Sequence, residues 1–319
     1  MIFMLILIGF LVGILSGFFG FGGGFIITPF LFALGFSMNV AVGTSIAQIL
    51  GTAVIATMRH KSLRHVDVKL GLLMVIGAFA GVEIGAQIIE RLKAISPETV
   101  DVAVSLVYII LLGLISAFMS MEAWSSRREE SSRRGLHEKA QRIRVPPVIS
   151  LSESGVASIS LWLIISLGFA TGLTAGFVGA GGGFLQIPLL IYLIGCRTTV
   201  AVGTNLFSML IASAYACFSH ALKGNVDVFS AAYMLIGSSV GAQIGALATR
   251  YVREEDLRLY FGVCVGLISI SVAFELLSKL TRIILFGYIS LGMIILTTLS
   301  LSSLIMIRAL RRSKRRTIE

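Results

Sequence analysis

The sequence predicts an all-α membrane protein made of two inverted-topology repeats. Each repeat reads as a broken re-entrant helix hairpin plus three spanning helices, and one extra transmembrane helix follows at the C-terminus. Three observations carry this: the apolar composition, an internal repeat, and the placement of the basic residues. Of 319 residues, 56% are hydrophobic and only 13% charged, and the mean hydropathy is +0.95. A soluble domain carries about 25% charge, and a bilayer can hide apolar surface that a soluble core of this size cannot. Glycine is abundant, at 34 residues against 5 prolines, which suits helices whose backbones approach closely in lipid.

The elements follow in order. Residues 2–35 are apolar but interrupted by G-F-G-G-G, and 160–195 by G-A-G-G-G. A glycine run is a poor helix interior, each Gly costing about 1 kcal/mol against Ala, so the helix should break there. Unbroken apolar segments cover 40–58, 69–89 and 99–121, then 199–219, 227–249 and 257–277, with an extra one at 283–307. Each is long enough for a span of about 20 residues. The expected divisions are a first membrane repeat at 1–121, a basic cytoplasmic linker at 122–158, a second repeat at 159–277, and the extra helix with its basic tail at 278–319. The linker should be flexible or partly helical, with Pro146 and Pro147 ending any helix within it. The N-terminal apolar stretch has no basic flank or evident cleavage site and reads as part of the mature protein.

The repeat is visible residue by residue. From Gly17 the chain reads GFFGFGGGFIITPFLFALGFSMNVAVGTSIAQILG, and from Gly176 it reads GFVGAGGGFLQIPLLIYLIGCRTTVAVGTNLFSML. Pro29 matches Pro188, His60 matches His220, Asp67 matches Asp227, and Gly77, Gly81 and Gly85 match Gly237, Gly241 and Gly245. Such matching implies duplication.

Charge sets the orientation. The net charge is +10, with basic clusters in the linker (Arg127 to Arg144) and the tail (Arg308 to Arg316). A basic chain can bind nucleic acid, but basic loops flanking apolar spans are the positive-inside signal, and nucleic acid is not expected as a partner. If each broken stretch makes no net crossing, the N-terminus lies outside, and the 59–69 loop, linker and tail all face the cytoplasm. Three net spans per copy then place the copies upside down relative to one another.

Few residues could carry transport. The glycine breaks at Gly22, Gly23 and Gly24 and at Gly181, Gly182 and Gly183 would expose backbone N–H groups and a positive helix end to an anion, or else simply allow close packing. Thr44, Ser45 and Gln48, and Thr204, Asn205 and Ser208, could complete a shell of neutral donors, although a hydroxyl in a membrane helix often bonds its own backbone. Glu83 is an intramembrane carboxylate and the foremost candidate for coupling, with His60 and His220 as further titratable groups. Asp67 and Asp227 read as helix N-caps, and Glu275 as interfacial. Cys196, Cys217 and Cys264 have no metal or redox spacing. No catalytic dyad, phosphate loop or metal motif appears, so neither enzyme activity nor a cofactor is expected.

The G-x-G-G-G-F run, the following Pro, Ala41–Ser45 and the His60–Asp67 element, all repeated in the second half, resemble the TauE/SafE family. The resemblance covers nearly the whole chain except the linker and last span. It implies an inner-membrane permease for a small sulfur-containing anion such as sulfite, thiosulfate or an organosulfonate, coupled to an ion gradient. The reading allows a homodimer. An uncoupled anion channel and a membrane scaffold docking a partner through the linker are the alternatives.

Overall fold

The computed structural model describes residues 2–125, 145–251 and 254–318. The basic cluster between 127 and 144 lies outside them. In chain order the helices are α1 (Ile2–Phe19), α2 (Gly24–Ala33), α3 (Met38–Ser62), α4 (Val68–Ile95) and α5 (Pro97–Ser125). After the hairpin β1 (Val148–Leu151) and β2 (Val156–Ser160) come α6 (Leu161–Val178) and α7 (Gly183–Pro188), the latter continued by a π-helical turn over Leu189–Ile194. Then follow α8 (Thr198–Leu222), α9 (Val228–Ala248), α10 (Glu254–Thr281) and α11 (Ile284–Ile318). Among the described residues nine helices are long and apolar enough to cross a membrane. Large apolar side chains stay exposed on the outer faces, among them Ile110, Leu114, Ile236 and Leu296. In water such surface would drive association; in lipid it is the solvated face.

Hydrogen bonds fix the helix directions. At a first end, Asn39 at the start of α3 donates to Asn225 in the α8–α9 turn, 2.8 Å away. Asn225 in turn donates to Glu90 near the end of α4, and the Met38 amide donates to Asp101 near the start of α5. At the second end, Lys69 at the start of α4 reaches Ser150 of the β-hairpin, and Ser154 donates to Asp67 at 2.6 Å. Helices α3, α5 and α9 therefore run from the first end to the second, and α4, α8 and α10 run back.

Two glycine seams extend this ordering to the hairpin arms. On α1, Gly9, Gly13 and Gly17 press against the backbone of Met234, Ser238 and Ala242 on α9, so the two helices run in the same direction. On α6, Gly168, Gly172 and Gly176 meet Met74, Ala78 and Val82 on α4, again in one direction. The seams are reciprocal: Gly77, Gly81 and Gly85 face the backbone of α6, and Gly237, Gly241 and Gly245 that of α1. A Cβ at any of these positions would collide with a carbonyl or a Cα. The first arm of each half is thus held by the α4-type helix of the other half.

The chain breaks where the glycines sit. Gly20, Gly22 and Gly23 have φ of +85°, +77° and +92°, and Gly179, Gly181 and Gly182 have +75°, +71° and +71°. Side chains other than glycine avoid this left-handed region, and three such positions turn the chain sharply. Helix α2 returns to the first end, where α3 begins, so the α1–α2 stretch makes no net crossing.

Two expectations change. Residues 148–160, placed mainly in a flexible linker, form an antiparallel hairpin whose Leu151, Val156 and Ile159 are buried. Their alternation around the turn Ser152–Gly155 lets one face cover the second end of the bundle. Glu275, expected near a span end, lies one turn before Lys279, is 5% exposed and packs against Gly287 of α11, a neighbour the sequence reading did not place there.

Candidate functional site

The two glycine breaks meet. The main chain of Gly24 lies against Gly179 and Ala180, and that of Gly183 against Phe21. Thr28 donates to the Gly179 carbonyl, and Asn205 to the Gly20 carbonyl. Gly22 and Gly181 both touch Ile49 and Met209, the midpoints of α3 and α8. The junction therefore lies at half-depth. It is walled by α3 and α8, the helices that carry V-A-V-G-T near their starts.

Both return helices begin here. In α2 the first backbone bonds run from the Ile26 and Ile27 amides to the Gly23 carbonyl, and in α7 from Leu185 and Gln186 to Gly182. The amides ahead of them have no partner within the helix, and neither N-cap glycine has a side chain to supply one. Fully buried Ser45 donates to the Gly24 carbonyl, which also accepts from Tyr108. Gln48 donates to Thr52 at 2.6 Å, and Thr52 meets Ser238 at 2.9 Å. Gln48 Oε1, Asn205 Oδ1 and Ser16 Oγ are buried without hydrogen-bond partners. A buried polar atom left unbonded costs about 1–3 kcal/mol, and two of these three are amide oxygens that can only accept.

The structure brings Gly22, Gly23, Gly24, Ser45, Gln48, Gly181, Gly182, Gly183, Asn205 and Ser208 together around this junction. Thr44 and Thr204 are not brought in. Their hydroxyls accept the Asp227 and Asp67 amides, each at 2.9 Å, and so tie the start of one half's core helix to the fourth helix of the other half. Asp67 and Asp227 cap those fourth helices, as expected.

Among the coupling candidates, His60 and His220 are fully buried, and each Nε2 lies 3.0 Å from the Gly17 or Gly176 carbonyl, one turn ahead of the breaks. Glu83 stands apart. It faces a groove between α4 and α8, paired with Lys223 at 3.4 Å and hydrogen-bonded by Tyr215, Ser219 and Gln87. Its charge is compensated where it sits.

Sequence reading passed over Gln186, Thr28, Ser16 and Thr171. Gln186 is the clearest omission: a lone amide just after the second glycine run, 4% exposed, donating to Ser208 at 2.7 Å. Among the described residues no group of three His, Cys, Asp or Glu side chains could hold a metal.

These features define a multi-pass α-helical membrane protein with a polar junction buried at half-depth. Residues 5–272 match the family model described as sulfite exporter TauE/SafE, and the chain belongs to that family. It is 26% identical over 280 residues to the probable membrane transporter protein YunE of Bacillus subtilis, spanning 85% of this chain and 97% of that one. It is 28% identical over 275 residues to a probable membrane transporter protein of Xylella fastidiosa (strain 9a5c), covering 84% and 90%. It is 23% identical over 283 residues to the probable membrane transporter protein MJ0441 of Methanocaldococcus jannaschii, covering 84% and 93%. No solved structure matches the chain. The protein is a membrane transporter of this family.

Proposed function

We propose that this transporter is a secondary permease moving a small sulfur-containing oxyanion, of the sulfite, thiosulfate or organosulfonate class, across the inner membrane between two inverted repeats. The observation that carries the reading is the meeting of the two glycine breaks at half-depth. Helix starts supply unpaired amides there, and Ser45, Gln48, Asn205 and Ser208 supply neutral groups that can turn an N–H or O–H toward substrate oxygens. Neutral dipoles hold an anion without trapping it.

The repeat reading is supported by helix direction. Each equivalent pair, α1 with α6, α3 with α8, α4 with α9 and α5 with α10, runs in opposite senses. The orientation is supported by charge. Arg59, Lys61, Arg64, Lys69, Arg308 and Arg311 cluster at the second end, which we read as cytoplasmic. At the first end Lys93 pairs with Glu90, Lys223 with Glu83, and Lys279 with Asp101, so their charge is largely cancelled. We assign proton coupling to His60 and His220, which touch the hairpin arms, and read Glu83 as a tether between α4 and α8.

The test is flux of radiolabelled sulfite, thiosulfate and methanesulfonate into proteoliposomes. The reading predicts saturable uptake driven by a pH gradient, and its loss in Gly23→Val and Gly182→Val. Those positions have φ of +92° and +71°, and an added Cβ would strike Val12 or the Thr171 carbonyl. Unsaturable flux indifferent to the gradient would instead mark a channel. Silence toward all three anions, with activity that depends on the linker, would mark a scaffold.

A further inference from the structure

The junction is not symmetric. A crevice with room for about one water opens beside the second glycine break, walled by Met74, Ala78, Thr171, Gln186, Ser208 and Ala212 and floored by Gly181. In the first half the corresponding groups turn to one another: Gln48 donates to Thr52, and Thr52 meets Ser238, with Gln48 Oε1 left unbonded. The repeat mate of Gln186 is Ile27, whose side chain has no donor.

Gln186 has two amide hydrogens. Its Nε2 donates to Ser208 Oγ at 2.7 Å, and its other bond goes to the Met74 thioether at 3.3 Å. A thioether is a weak acceptor, whereas an anionic oxygen is a strong one. An oxygen seated in the crevice would replace the sulfur as acceptor, and the gain would be larger for being made away from water. The crevice, with Met209 also on its wall, has room for about one oxygen, so the remainder of the anion must extend past Gly181 toward Ile49.

We infer that Gln186 is a specificity-determining donor that binds one oxygen of the transported anion and seats it off-centre, on the second half. This rests on the junction being the substrate site. The test measures the half-saturating sulfite concentration in proteoliposomes, together with the sulfite-induced rise in Tm, which needs no turnover. The variants are Gln186→Met, of similar length without the donor; Gln186→Glu, which presents a carboxylate; and Leu114→Ala, on the lipid-facing surface away from the junction.

Gln186→Met should raise half-saturation about tenfold, as expected for one lost hydrogen bond. It should leave the maximal rate within about twofold, because the bond is made equally to bound and moving anion. It should also remove most of the sulfite-induced Tm rise. Gln186→Glu should abolish saturable uptake at neutral pH, and Leu114→Ala should match the wild type. Wild-type half-saturation in Gln186→Met, or an equal loss in Leu114→Ala, overturns the inference while leaving the junction reading intact. A wild-type protein that neither takes up sulfite nor gains Tm with it removes the junction reading, and this inference falls with it.

Discussion

The two buried imidazoles hold the hairpin arms by one hydrogen bond each, so adding a proton there changes the force on the arm directly. Replacing both with glutamine keeps a hydrogen-bonding group and removes titration. The His60→Gln/His220→Gln protein should exchange sulfite down its gradient but no longer be driven by a pH gradient, as flux at matched and unmatched pH would read; unchanged driving assigns coupling elsewhere. The Glu83–Lys223 pair makes the opposite prediction. Either Glu83→Gln or Lys223→Met alone leaves a partner uncompensated, so each single variant should melt below the Glu83→Gln/Lys223→Met double variant. At this scale the sequence was partly legible. Ser45, Gln48, Asn205 and Ser208 were visible as polar residues on apolar helices. The use of Thr44 and Thr204 was not, because their partners lie 183 and 137 residues away in sequence. Gln186 was hidden because the repeat comparison draws the eye to matched positions, and its mate is an isoleucine.

Elements are organised by close backbone approach. The α1–α9 and α4–α6 seams place glycine Cα atoms directly on carbonyls of the neighbouring helix. Each such contact contributes on the order of 0.5–1 kcal/mol, and the approach lets dispersion act along the whole seam. Gly172→Val and Gly241→Val should each destabilise by about 1–3 kcal/mol, read as a lower Tm in detergent. Gly292→Val is the control: an added Cβ there meets nothing within 4 Å, and Tm should hold. Equal losses at all three would show that the seams are not special. The breaks and half of each seam were legible in sequence, since a glycine run cannot continue a helix and Gly77, Gly81 and Gly85 recur as Gly237, Gly241 and Gly245. The β-hairpin was obscured by its polar composition, although V-I-S-L and V-A-S-I-S alternate on either side of a turn.

At the scale of the whole molecule, duplication and charge together constrain the fold. Each half lends its first hairpin arm to the other half, so neither buries its glycine faces alone. The orientation predicts that a single cysteine at Arg64, in a cysteine-free background, reacts with a membrane-impermeant maleimide only from the cytoplasm, and one at Lys223 only from outside; the reverse pattern would invert the assignment. The spanning helices were legible in hydropathy because lipid imposes apolar length on every span. The occupant of the junction was not legible in the same way, because it depends on which atoms from distant segments converge.

The most direct measurement is a crystal structure with selenite, a sulfite analogue whose selenium scatters anomalously. The account predicts a selenium peak between the two glycine breaks, within hydrogen-bond reach of the amides that open α2 and α7. A peak confined to any other site, at full occupancy with the junction empty, would contradict it.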